Sequence, residues 1–531
     1  MQTSQIRRNS RSRRHPELLA ALLTVCCLAA AQETKAPTLT TPPAKAQTPA
    51  KPVPVPGLNN RIPGIGPAPG IGVHSPSPNA MPPTYGPARR PNGATTIRTR
   101  EGTELTRRRD GKPADVRVPG RGMAIHHNLN GNRHVAVEWP DHSRIVAERG
   151  GRSYVQRPYI YRGREYAQRT YYVHGRVYDR FYARYPYRGA YLEMYTPTAY
   201  YRPAFYGWAY NPWAAPVPYA WGWSSYPWYG YYSYYLVPYP TYAGPAYWLT
   251  DYLIATSLAE AYQARVDAGM PVQAPFGAVP LTPQVRDEIA LEVQRQISIE
   301  NAEAQAAALN GPPNPALSGV PALLYDNAPH VFVAARDLDV IDTAGEECAI
   351  SEGDALQLPG PPPAYATMAE LVVLSNKGGP ECRQGDAVTV GFADLQEMEN
   401  HMRETIDQGL AELQSRQATG GLPAIPAPYR AAAVQAPFAS DPDAPGPDPA
   451  AGALIKQQAQ QADQAESQAL GQASADDGSG VPMVFVGQSL SEVQARLGSP
   501  MSHVDMGATQ IYLYPNRVKI TFDRGAVVDI E

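Results

Sequence analysis

The sequence predicts a multidomain, mainly β protein with α+β parts: an antiparallel β-meander, a small SH3-like barrel followed by a helix, and a small C-terminal α+β module, joined by long disordered linkers. Three observations carry that prediction. Glycine-containing turn signals recur at near-regular intervals from position 97 onward. Between residues 154 and 252 lie 27 of the 34 tyrosines and six of the seven tryptophans. Stretches rich in Pro, Ala, Thr and Gln, poor in aliphatic residues, separate the patterned regions.

Residues 1–31 have the layout of an export signal, with Arg7, Arg8, Arg11, Arg13 and Arg14 ahead of an apolar run over 18–28 and then Ala29, Ala30 and Ala31. Cleavage would fall before Gln32. Val25 and Cys26 precede Cys26 and Cys27, so neither cysteine follows the small residue that a lipoprotein signal needs. Arg13-Arg14 lacks the apolar residue expected soon after a twin-arginine signal. Residues 32–96 have little to bury and read as a Pro-rich disordered linker.

From 97 to 195, Asp110-Gly111, Asn130-Gly131, Gly150-Gly151, Arg162-Gly163 and His174-Gly175 mark tight hairpins. Asn-Gly and Asp-Gly favour the turn whose twist matches that of the strands, so the reading is a Tyr/Arg-rich antiparallel meander. Period-two alternation puts Arg176, Tyr178, Arg180, Tyr182 and Arg184 on one face and Val177, Phe181, Ala183 and Tyr185 on the other. One face is expected to bury and the other to offer alternating guanidinium and ring, where an exposed pair gains roughly 0.5–1 kcal/mol. Arg176, Tyr178, Arg180 and Tyr182 are therefore candidate binding residues, with cross-strand pairs that only hold the sheet together as the competing reading. Strands such as 103–109 and 112–118 lack a lipid-facing apolar row, which argues against an outer-membrane barrel.

Residues 196–247 are aromatic and proline-rich, too broken by proline for one helix, and are expected to wrap the sheet. Trp208, Trp213, Trp221, Trp223 and Trp228 are the second candidate binding set, since such rings can stack on sugars; the alternative is that they are core. Over 248–309 two helices are expected, one with Trp248, Tyr252, Ala255, Leu258 and Tyr262 at helical spacing, the next capped by Thr282 with Pro283 in its first turn. Five short apolar strands between 331 and 392 suggest the SH3-like barrel of the 329–417 unit. Asp394 and Glu397 give a capping-box pattern for a following helix with an apolar row of Leu395, Met398, Met402, Ile406 and Leu413. Residues 418–482 read as a second linker containing a polar helix near 451–470.

In the last fifty residues the order is a strand over 483–486, a helix capped by Ser489 with Glu492 answering, then antiparallel strands over 510–514, 517–522 and 526–530. Val486-Gly487-Gln488-Ser489, Glu492-Val493, Leu497-Gly498-Ser499-Pro500, Ile511-Tyr512 and Phe522-Asp523-Arg524-Gly525 resemble the SmpA/OmlA (BamE-like) domain. The resemblance covers about a tenth of the chain. It implies a small α+β module found in envelope proteins, including an accessory part of the outer-membrane assembly machinery. The remainder is similar to uncharacterised exported bacterial proteins.

The formal charge of −3 hides an asymmetry: residues 89–189 hold 22 Lys and Arg against nine Asp and Glu, and residues 190–531 hold 15 against 38. In an exported protein the basic half would face anionic envelope polymers, lipid headgroups or its own acidic half, in preference to nucleic acid; a merely solvated surface is the alternative. Once the signal is removed, Cys348 and Cys382 are the two remaining cysteines, and an oxidising compartment favours a disulfide between them.

No nucleophile elbow, zincin motif or phosphate loop is present. Asp141-His142-Ser143 are neighbours in sequence and cannot converge as a triad must. His126, His127, His134 and His142 form the one histidine cluster; solvent-facing strand histidines are the commoner reading, and neither a metal nor a cofactor is expected. The expectation is a non-enzymatic protein of the periplasm or exterior, including the outer-membrane surface, that contacts envelope proteins or anionic and polysaccharide polymers. Carbohydrate or peptidoglycan binding through the Tyr/Trp-rich segment is the alternative. No stretch after the signal supplies the roughly 18 uninterrupted apolar residues of a membrane span.

Overall fold

Ten antiparallel strands each pair with the next in chain order: β1 (Thr95–Arg98), β2 (Glu104–Arg107), β3 (Pro113–Val118), β4 (Met123–His127), β5 (Arg133–Glu138), β6 (Arg144–Glu148), β7 (Ser153–Tyr161), β8 (Arg164–Val173), β9 (Arg176–Tyr187) and β10 (Ala190–Thr196). Glycines 111, 131, 163 and 175 hold the positive φ that these tight connections require. The computed structural model describes residues 86–530 except 88, 100, 174, 189, 271–276, 310–317, 431, 442–443, 477–483, 485–487 and 515–517. The expected signal, most of the 32–96 linker and most of the strand expected over 483–486 lie outside the described residues.

Alternation sends Met123, Ile125, Val135, Val137, Ile145 and Val155 to one face of the meander and Ala136, Val146, Tyr154, Tyr171 and Tyr182 to the other. Both faces are covered, which corrects the expectation of one buried and one open face.

After β11 (Ala199–Tyr200), the aromatic segment forms α1 (Pro203–Tyr210) and α2 (Pro227–Tyr232), and its rings pack chiefly on α3 (Pro245–Asp267) and α4 (Pro283–Ala308). Thr282 Oγ1 accepts from the Val285 N–H at 3.3 Å and caps α4, with Pro283 in the first turn where no donor is lost. The short α5 (Val320–Leu323) leads into the next sheet.

That sheet has six antiparallel strands, β12 (His330–Val333), β13 (Leu338–Asp342), β14 (Glu347–Ile350), β15 (Ala355–Leu358), β16 (Met368–Val373) and β17 (Ala387–Gly391), ordered β12-β15-β16-β17-β13-β14. Among the described residues it does not close, so the expected SH3-like barrel is not formed. The edges β12 and β14 do not pair. Instead β12 packs on α4 and on α6 (Phe392–Ser415), while the β14 edge is bridged by Ala349 to Glu381. Cys348 of β14 and Cys382 are joined by a disulfide with Cα atoms 4.9 Å apart.

Gly391 precedes α6 without a side-chain cap. The expected capping box is displaced by longer-range partners: Asp394 accepts from Arg336 at 3.1 Å, and Glu397 accepts from Arg169. Residues 418–482 are not a plain linker either. Leu422, Ile425, Ala436 and Phe438 are buried, and β18 (Val434–Gln435) pairs with β11. Beyond them α7 (Ala451–Asp476) lays Ala451, Ile455, Ala462, Ala465, Ala469 and Ala473 on the aliphatic face of the meander. Spacings of three, four and seven put these small side chains on one stripe, which lets the helix approach the sheet closely.

The terminal module joins α8 (Leu490–Leu497) to a four-stranded antiparallel sheet, β19 (Ser502–Met506), β20 (Thr509–Leu513), β21 (Lys519–Asp523) and β22 (Ala526–Ile530). Ser489 and Glu492 form a complete capping box. Val493, Tyr512, Ile520, Phe522 and Val527 are its core. No helix among the described residues is long and apolar enough to cross a membrane.

Candidate functional site

The arginines of the meander meet carboxylates supplied by the acidic part of the chain. Arg108 donates to Asp339 (2.8 Å) and Glu347 (2.8 Å), Arg133 to Asp463 (2.6 Å), Arg152 and Arg180 to Glu404 (2.6 and 2.7 Å), and Arg157 to Asp448 (3.3 Å). Arg169, fully buried, reaches Glu397 through two parallel bonds and Glu193 through a third. Of the partners open to the basic half, the structure assigns these side chains to its own acidic half.

This seam borders a cavity of about 470 Å3 between the meander, the end of α3, α6 and the turns of the six-stranded sheet. Tyr154, Tyr171, Tyr182, Tyr231 and Tyr232 supply apolar wall, and Arg152, Glu352, Asp337, Glu381, His401 and Glu404 supply charge and polarity. The volume falls in the range of small-molecule sites.

His401 and Ser257 lie side by side at the cavity's inner edge, Nε2 to Oγ 2.8 Å. Arg152, a pure donor, bonds His401 Nδ1 at 3.0 Å, so the imidazole N–H sits on Nε2 and donates to Ser257, whose hydroxyl in turn donates a hydrogen bond to the Leu253 carbonyl at 3.1 Å. Burial, and then the charge of Arg152, depress the His401 pKa to about 3. The ring lacks a free lone pair facing the hydroxyl and cannot serve it as a general base.

The sequence-predicted binding residues fall in different surroundings. Tyr182 is buried, its hydroxyl bonded to that of Tyr171 at 2.7 Å and its ring 4.0 Å from the Arg169 guanidinium. Tyr178 is half-buried and stacks on Tyr171, Arg180 is held by Glu404, and Arg176 alone of the four is exposed. The row is therefore not open as a whole: Tyr182 is buried and Arg180 is tied to Glu404 of α6, while Arg176 stays exposed. Trp208, Trp213, Trp221, Trp223 and Trp228 are half-buried. Trp221 is stacked against Trp223 on one side and Trp248 on the other, with centroids at 4.1 and 4.7 Å, so neither of its faces is open to a sugar ring. No family model, curated protein or solved structure matches this chain.

The four histidines do not converge on a common point. His127 pairs with Glu466, His134 with Glu148 and His142 with Glu138, although His126 and His134 are register partners on adjacent strands. Among the described residues no group of three or more His, Cys, Asp or Glu could hold a metal ion.

His126, fully buried, donates to Asp115 at 2.8 Å and Asp339 at 2.9 Å. Burial opposes its charge, but the hydrogen bonds and charges of the two carboxylates outweigh it and hold the pKa up to about 9. A pKa raised above the unfolded value of 6.5 gives stability that is complete below that value and lost as pH rises through about 9. The loss should be on the order of 2–3 kcal/mol. Melts between pH 7 and 9.5 should show a falling Tm for the native chain and a flatter profile for His126→Gln; identical slopes would show that His126 is not the group involved.

The terminal sheet presents the opposite situation. Tyr512, Ile520 and Phe522 face α8, whereas Val504, Met506 and Leu513 are exposed on the other side, and β19 has no partner on its outer edge among the described residues. The sequence reading missed β19 because its residues, Ser-His-Val-Asp-Met, carry only two apolar side chains.

Proposed function

We propose that this chain is an exported protein of the cell envelope that acts through contacts with other envelope proteins, without catalysis, and that its contact surface is the terminal module. The observation that carries the proposal is the exposed apolar row of Val504, Met506 and Leu513 beside the unpaired edge of β19. An unpaired edge strand is a template on which another chain can add a strand, main chain giving affinity and the apolar side chains on one face giving selectivity. The α+β order of this module is in keeping with the resemblance to SmpA/OmlA domains. A disulfide between Cys348 and Cys382 suits an oxidising compartment outside the cytoplasm.

The test is recovery of the full chain from cross-linked cells, native against Val504→Lys/Met506→Lys, compared with retention on isolated cell-wall sacculi. Loss of two interface anchors should weaken partner recovery about tenfold or more while the melting temperature is unchanged. Undiminished recovery by the variant would move the contact elsewhere. Retention of the native chain on sacculi, lost when Trp223 and Trp228 are changed to Ala, would favour the carbohydrate reading.

A further inference from the structure

The charged groups around the cavity do not all find a counter-ion. Arg152 ends on Glu404 and His401, Lys377 is paired with Asp354, Arg336 bonds Asp394, and Glu148 holds His134. On the wall made by the turns after β12 and β14, two carboxyls are left with neutral partners or none. Asp337 accepts from the amide of Asn132 and, at 3.3 Å, from the backbone N–H of Glu352. Glu352 lines the cavity and is 9% exposed, and its Oε1 has no hydrogen-bond partner among the described residues.

Burial, and then the charges of Glu260 and Asp337, push the Glu352 carboxyl well above the usual carboxylate range, with the charge of Arg152 opposing them in part. A buried acceptor without a donor is costly, and a buried carboxylate without a counter-charge more so. Two buried donors of the same cavity, Arg152 Nε and Asn128 Nδ2, also lack acceptors among the described residues.

We propose that this cavity binds a polar small molecule bearing a protonated primary amine, with Glu352 as the acceptor of the ammonium, Asp337 adding negative charge, and Arg152 Nε and Asn128 Nδ2 donating to oxygens of the same molecule. An organic ammonium satisfies the arrangement where a bare metal ion does not, because no set of three or more metal-ligating side chains is assembled among the described residues. The site is independent of the terminal contact surface, so either can fail without the other. Amino sugars and amino acids both carry the required chemistry.

The test is calorimetric titration of the full exported chain with D-glucosamine, D-galactosamine and L-lysine, beside their N-acetylated counterparts with every amine blocked. At least one amine should bind, its acetylated form about tenfold more weakly or not at all, and Glu352→Gln, which keeps the shape and removes the charge, should lower affinity by a similar factor. Which amine binds separates sugar from amino acid. Failure of all three amines to bind, equal binding of an amine and its acetylated form, or unchanged affinity in Glu352→Gln would each overturn the proposal; a Glu352→Gln chain that melts higher but binds the amine as before would show the carboxyl to be structural only.

Discussion

Arg169→Ala should destabilise the fold by about 3–5 kcal/mol, the cost of removing one partner from a buried ionic network and leaving the others uncompensated. Arg169 has no exposed surface. Its Nη2 donates to Glu193 at 2.7 Å, its two Nη groups grip Glu397 at 2.7 and 2.8 Å, its Nε donates to Gln156 at 2.9 Å, and its plane lies 4.7 and 4.0 Å from the rings of Tyr154 and Tyr182.

Burial raises the Glu193 pKa, but the guanidinium groups of Arg144, Arg169 and Arg184 overcome it and set the value at about 2. A carboxylate depressed in this way gives stability that is present above its unfolded value, near 4.5, and lost as pH falls through about 2. Without Arg169 the acid unfolding midpoint should therefore rise, and urea unfolding at pH 7 should shift to lower concentration. Arg169→Lys, which keeps the charge but not the planar fork, should fall between the two. A variant Arg169→Ala as stable as the native chain would mean that the seam contributes nothing.

Breaking the Cys348–Cys382 bond by substituting both cysteines with serine should cost about 4 kcal/mol on the chain-entropy view of a loop of this length. The sequence separation is 34, Cys382 is buried, and its N–H donates to the Ala349 carbonyl at 2.8 Å, so the bond clamps the edge of β14 to the loop carrying Lys377 and Glu381. The loss should appear as a lower melting temperature for the double serine chain and for the reduced native chain alike. Alkylation of unreduced native protein should label neither thiol; labelling of both would exclude the bond.

How legible these features were depended on the range of the interaction behind them. The hairpins of the meander were readable because Asn-Gly and Asp-Gly act on their own backbone, and the Ser489–Glu492 box was readable for the same reason. The Asp394–Glu397 box failed because Arg336 and Arg169, 58 and 228 residues away, take the same carboxylates. The Arg-Tyr row of β9 alternates correctly, but nothing local to it says that Glu397, His401 and Glu404 of α6 will lie against that face.

Composition misled at residues 418–482, since alanine adds little to hydrophobicity while suiting close packing, and it is alanine that fastens α7 to the sheet. The edge pairing that separates an open six-stranded sheet from a barrel leaves no local mark. The charge asymmetry was visible in full. Its destination was one of several that the sequence left open, and only the fold brings Arg108, Arg152, Arg169 and Arg180 to their carboxylates.

Arg152, Arg169 and Arg180 of the meander, with the tyrosine rings around them, face the interior and are neutralised by the acidic part of the same chain. Arginine-specific labelling of the native protein with phenylglyoxal, read out residue by residue by mass spectrometry, tests it most directly. The exposed Arg162 and Arg176 should be modified rapidly, and Arg169, Arg152 and Arg180 should be protected until the chain is unfolded. Modification of Arg169, Arg152 and Arg180 at the rate of Arg176 in the folded protein would contradict it.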